Sequence, residues 1–187
     1  INPNNLNAKQ VLLNVEMVTG RYSSAICYVN ELLEVNPYWK GLWMKKIEIY
    51  RLQNNHIEAN RLLERISQIY PEDMEIKNSL LYNIEQQALS ERNEGDINKA
   101  IELSLRLFEK EPRNESYCLN VINNYLRIGD YEKALMYAER GLYNMPDSLN
   151  LIHKKTDILG ELKRYNELLS FLQQKMKNSD NRNALLR

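Results

Sequence analysis

GDINKA at 95–100 and GDYEKA at 129–134 are nearly the same phrase, written 34 residues apart. The phrase carries no nucleophile, no pair of metal ligands and no phosphate-binding loop, so its recurrence points to architecture. The prolines extend the pattern. Pro3, Pro37, Pro71, Pro112 and Pro146 are separated by 34, 34, 41 and 34 residues, one period with a single addition of seven. Twelve residues before each of the last four stands Ala25, Ala59, Ala100 or Ala134, and five before each alanine stands Gly20, Asn54, Gly95 or Gly129. A period of this length marks a repeated supersecondary unit.

Each position in the unit has a physical reason. Ala134, Leu135, Ala138, Gly141, Leu142 and Met145 follow helical spacing between Gly129 and Pro146, and Cys118, Val121, Ile122 and Tyr125 do so before Gly129. Glycine ends the first helix because it enters the left-handed region cheaply, with asparagine its substitute at position 54. Asp96 and Asp130 stand where the next helix needs an N-cap. Alanine lets the two helices approach closely, and proline stops the second by disfavouring helical geometry at the residue before it. The unit is an antiparallel helix hairpin, with both phrases expected to make the same turn.

On these residues the chain resembles the tetratricopeptide repeat family, built of 34-residue helix hairpins. The resemblance covers nearly the whole chain as one array, with repeats at 6–39, 40–73, 74–114, 115–148 and 149–182 and a tail or start of a further segment at 183–187. Trp43, Ile47, Tyr50, Ala59 and Pro71 stand at signature positions of the second repeat, and Tyr125, Gly129, Ala134, Ala138 and Pro146 at those of the fourth. The last repeat departs from the pattern, with Leu168 for the alanine and Asp180 for the proline. The resemblance implies an all-α, right-handed superhelical solenoid. INPNN, with Pro3 in phase, is expected to close a preceding hairpin.

Seven extra residues between Pro71 and Ala100 make almost two helical turns, rotating the following face by only about 20°. Met74, Leu81, Ile84 and Ala88 stay near one side, so the spacing predicts one long helix over about 73–93, with its first part packed through Leu80, Leu81 and Ile84.

The family register implies a concave groove lined by the first helices, with Asn14, Glu48, Arg51, Tyr82, Glu85, Asn123, Arg127, His153 and Asp157 as candidate partner-binding residues. Such a surface suits an extended peptide or a helix of a partner protein. Some family members clamp a chaperone C-terminus with basic and amide groups. The equivalent positions here are Gln10, Asn14, Lys45, Tyr82 and Gln86, too altered for that ligand. The mixed charges of Glu48, Arg51, Glu85 and Arg127 suit a segment carrying both signs.

Composition narrows the remaining classes. Twenty-five basic and 25 acidic residues leave a net charge of zero, and without a basic stripe nucleic-acid binding lacks its driving term. No apolar run reaches the length of a membrane span. Cys27 and Cys118 have no metal or redox spacing and read as packed thiols. His56 and His153 are the only histidines; neither has a nucleophile or metal partner at a recognised spacing, so no enzyme activity, cofactor or metal is expected. Most of the 12 tyrosines fall at packing positions, whereas Tyr38 and Trp39 after Pro37 would form a contact patch if exposed. The expected function is a non-catalytic protein-interaction scaffold. The alternative is a structural spacer or assembly domain that self-associates through its end faces, for example ahead of an outer-membrane β-barrel in a bacterial envelope protein. The compartment stays open between cytoplasm and periplasm.

Overall fold

The computed structural model describes residues 5–177. Pro3, Asp180 and the tail at 183–187 lie outside them. Ten α-helices follow one another among the described residues: α1 Leu6–Val18, α2 Tyr22–Val35, α3 Lys40–Leu52, α4 His56–Ile69, α5 Met74–Glu94, α6 Ile97–Lys110, α7 Glu115–Arg127, α8 Tyr131–Asn144, α9 Leu149–Glu161 and α10 Tyr165–Lys177. The chain is all-α, with its helices packed sequentially as hairpins. It divides within α5 into two compact units, one ending at Gln87 and the other beginning at Ala88.

In the first unit α1 packs on α2, α2 on α3 and α3 on α4. In the second, contacts run in the same order from α6 to α10. The alanines do the work assigned to them: Ala25, Ala59, Ala100 and Ala134 are all fully buried. Around them lie Leu13, Val29, Ile47, Leu63 and Ile66 in the first unit, and Phe108, Val121, Ile122, Leu151 and Ile152 in the second. Leu168, at the fifth alanine position, is only half-buried, and no residue of α10 is buried among the described residues. Tyr125 and Tyr137 stack at 5.5 Å, with Phe108 edge-on to Tyr137 at 6.2 Å, so these aromatics are packing groups.

The turns explain why the repeat has its letters. Gly20, Asn54 and Gly129 adopt φ of 74°, 54° and 76°, the left-handed region where a side chain with a Cβ is costly. Lys163, 34 residues after Gly129, takes φ 56° without the glycine or asparagine that suits it. In these four turns the residue after the left-handed one donates its N–H back to a carbonyl five residues earlier, as Asp130 does to Tyr125 at 3.0 Å. That bond closes the preceding helix in the manner of a Schellman motif.

GDINKA and GDYEKA do not make the same turn. Gly95, at φ 97°, donates to Glu91 O at 3.1 Å, and the Asp96 N–H lacks the backward bond that Asp130 makes. The cause lies upstream. Helix α5 runs on to Glu94, immediately before Gly95, whereas α7 stops at Arg127, two residues before Gly129. The aspartates nevertheless act alike: Asp96 accepts from Lys99 N and Asp130 from Lys133 N, each at 3.0 Å. Asn55 caps α4 in the same way. Arg21 stands at the matching position of α2, makes no side-chain cap, and pairs back to Glu16 instead.

Helix α5 is continuous over 21 residues, so the seven extra residues lengthen a helix and add no loop. Its packed face is the expected one through Leu80, Leu81, Ile84 and Ala88, with Met74 the one departure. Met74 is 60% exposed, because Asp73 caps the helix and Met74 opens it, pointing away from the core. Ile76, Leu80, Leu81 and Ile84 are buried, and Asn83 and Gln87 are buried with them.

Candidate functional site

Asn83 is fully buried and organises the junction of α3, α4 and α5. Its amide donates to the His56 carbonyl at 3.0 Å and to Asn60 Oδ1 at 2.9 Å. Its Oδ1 accepts from Arg51 Nε at 3.2 Å, and Asn60 Nδ2 donates to Gln87 Oε1 at 2.6 Å. A buried amide left without partners costs about 1–3 kcal/mol. Fully paired amides are therefore demanding of geometry, and this chain holds α5 in one register against α4.

That network decides the role of Arg51. Its Nη2 donates to Ser79 O at 2.8 Å, and its guanidinium lies 5.4 Å from the Tyr82 ring centroid. Burial lowers its pKa, and the nearby Tyr82 and Glu48 counter that shift. Arg51 is thus engaged inside the protein, while Tyr82 is 53% exposed, Glu48 is exposed and Glu85 half-buried. His56 is part of the same junction, half-buried with Nδ1 3.5 Å from Asn83 Oδ1.

A separate cleft opens between α1 and α3. Gln10, Asn14, Trp39 and Lys45 surround a cavity of about 150 Å³ floored by Leu13 and Leu42. Lys45 Nζ donates to Asn14 Oδ1 at 2.9 Å, leaving the rest of the ammonium and the Asn14 amide open to a ligand. Trp39 is 44% exposed at the mouth and Tyr38 73% exposed beside it. The indole of Trp43, by contrast, points inward and donates to Pro37 O at 2.7 Å.

In the second unit Asn123 and Arg127 are exposed one turn apart on α7, as are His153 and Asp157 on α9. Arg127 Nη1 reaches Arg92 O at 3.4 Å. The neighbouring Asn124 is the structural amide, buried and donating to Ser104 Oγ at 2.9 Å. Cys118 is buried and its thiol pKa is pushed up to about 12, mainly by burial, which makes it an unreactive packing group. Cys27 is exposed and both thiols are free. Among the described residues no cluster of three or more His, Cys, Asp or Glu side chains is placed to hold a metal ion. No helix among them is long and apolar enough to cross a membrane.

The sequence matches no family model and no curated protein. Solved structures do resemble it. Over 98% of this chain it is similar, at 17% identity and a TM-score of 0.56, to a chain in "Structure of Naa15/Naa10 bound to HypK-THB", of which the match covers 28%. "Crystal structure of MamA protein" aligns with 96% of this chain and 94% of its own, at 12% identity and a TM-score of 0.46. The likeness is one of fold. An array of helix hairpins is what this chain shares with a solved protein.

The sequence alone does not single out the buried amides, because asparagine and glutamine are mostly surface residues. A signal was present: Leu80, Asn83, Ile84 and Gln87 are spaced by three, one and three residues, along a single helical stripe.

Proposed function

We propose that this chain is a non-catalytic interaction scaffold of the tetratricopeptide type, which holds a peptide or helical segment of a partner protein. The observation that carries the reading is the α1–α3 cleft, where Gln10, Asn14 and Lys45 converge beside an exposed tryptophan. An amide, an ammonium and an indole offer donors, an acceptor and an apolar platform to an extended backbone. Tryptophan is among the residues enriched at the core of protein interfaces. Glu48, Tyr82 and Glu85 extend the contact surface of the first unit. Asn123, Arg127, His153 and Asp157 supply that of the second. Arg51 serves by holding Tyr82 in place.

A photo-reactive benzoylphenylalanine placed at Asn14 or Asn123 tests this in the native host. Cross-links should form to one and the same protein from these positions and be absent from exposed Ser24 on α2. Equal cross-linking from Ser24 would refute a directed surface.

The assembly reading also has an observation in its favour. Val11, Val15 and Val18 of α1 are 62%, 44% and 88% exposed at spacings of four and three residues, an apolar stripe with nothing packed on it among the described residues. Sedimentation distinguishes the two: self-association that Val15→Glu abolishes supports assembly, and a monomer at all concentrations refutes it.

A further inference from the structure

On the first unit, α3 and α4 enclose a cavity of about 210 Å³ whose charge is unlike that of the chain as a whole. Trp43, Lys46 and Tyr50 of α3 line it with Glu58, Arg61 and Arg65 of α4. Three cations thus meet one carboxylate in a protein whose net charge is zero. That carboxylate is engaged, since Arg61 Nη1 holds Glu58 Oε1 at 2.8 Å. The other two cations stand over the same indole: Lys46 Nζ is 6.0 Å and the Arg65 guanidinium 5.6 Å from the centroid of Trp43. Lys46 donates only to the neutral Asn30 Oδ1 at 2.7 Å, and neither Lys46 nor Arg65 has an ion-pair partner among the described residues. Burial first, and then the charge of Arg65, lower the Lys46 pKa, with Glu58 acting in the opposite direction. Two like charges held together beside an apolar wall raise each other's energy, and an anion placed between them would reverse that.

We propose that this cavity binds carboxylate side chains of an acidic segment of a partner protein, with Arg65 as the forked donor and Lys46 as the second cation. Three features choose this ligand over other anions. Trp43 is 9% exposed, so its ring is covered and offers no stacking platform to a nucleobase. The cavity is smaller than the roughly 300–1,000 Å³ of cofactor and metabolite sites. With Leu62 and Tyr50 in its wall, it suits a short acidic side chain whose neighbours rest on apolar surface. The site is distinct from the α1–α3 cleft, because successive residues such as Lys45 and Lys46 project about 100° apart around a helix. It stands whether or not that cleft is occupied.

The chain has two tryptophans, so Trp39→Phe leaves Trp43 as sole reporter at the site. An N-acetylated oligoglutamate peptide titrated into this variant, followed by calorimetry and Trp43 emission, should bind saturably and more weakly as sodium chloride is added. Arg65→Ala and Lys46→Gln should each weaken it about tenfold, the loss of one charge-assisted hydrogen bond, with helicity unchanged. Arg65→Lys should fall between, since it keeps the charge and loses the fork. Lys77→Gln, which removes an exposed cation of α5 outside the cavity, should bind as tightly as the parent. Equal binding by the Arg65→Ala and Lys46→Gln variants, or no saturable binding by the parent, overturns the proposal. Inorganic phosphate at matched ionic strength should compete no better than chloride; if it displaces the peptide and saturates the site alone, the acidic-segment assignment is overturned.

Discussion

Replacing Gly141 with alanine separates two effects that pull in opposite directions. In a helix interior alanine is favoured over glycine by about 1 kcal/mol. At Gly141, however, an added Cβ would overlap Cys118 Sγ of α7 and come within 2.9 Å of Leu151 Cδ1 of α9. Both neighbours are fully buried and cannot move into solvent. Overpacking of this kind costs about 1–3 kcal/mol, and two immobile neighbours place it toward the upper end. The expected net result is a loss of about 1–2 kcal/mol. Gly160 of α9 is the control: nothing lies within 4 Å of its added Cβ, so Gly160→Ala should gain up to about 1 kcal/mol by the propensity term alone. Both tryptophans lie in the first unit, so the assay must read the second. Amide hydrogen exchange across α7–α9, with urea unfolding followed by far-UV circular dichroism, does so. Adding Cys118→Ala should recover part of the loss, a coupling of about 1 kcal/mol between touching residues. If Gly141→Ala stabilises the protein as Gly160→Ala does, the close three-helix approach at α8 is wrong.

Asn83→Ala strips partners from Asn60, Arg51 and the His56 carbonyl at once and should cost about 2–4 kcal/mol; because the first unit holds both tryptophans, the urea midpoint from their emission reports it. Lys163→Gly relieves the left-handed φ at a turn where nothing else requires lysine, and should raise stability by about 0.5–1 kcal/mol after the added freedom of the unfolded chain is counted. Asp73 has a pKa held below the usual aspartate value, chiefly by its hydrogen bond from Lys40. A carboxyl depressed on folding stabilises the native state above its unfolded pKa, so this contribution should fade as pH falls below about 3.9 and through the lower folded value. Asp73→Asn should flatten that acid limb of the melting temperature, and an unchanged limb would remove Asp73 from the account.

Turns and close helix contacts were legible in the sequence because each rests on one residue type with a local cause. Glycine or asparagine at the left-handed position and alanine at the crossing would be hard to replace, so both recur in phase. Position alone also marked α5 as longer. The first unit's side-chain chemistry was less legible, because it joins distant residues. Asn60 meets Asn83, and Lys46 meets Arg65, only after α3, α4 and α5 have packed. The two repeated phrases show the remaining limit. Their letters agree, yet the turn is set by where the preceding helix stops, and α5 stops one residue later relative to its glycine than α7 does. Among the candidate contact residues, Arg51 is half-buried and bonded to Asn83 Oδ1 and Ser79 O, a role that depends on residues 32 and 28 positions away. Asn14, Asn123 and Arg127 remained at the surface.

If this fold presents a directed binding surface, affinity for the cross-linked partner depends on the residues that line it. Calorimetry of that purified partner with the parent chain and with Asn14→Ala/Lys45→Ala should show at least a roughly tenfold weakening at unchanged helicity. Identical affinities would contradict the account.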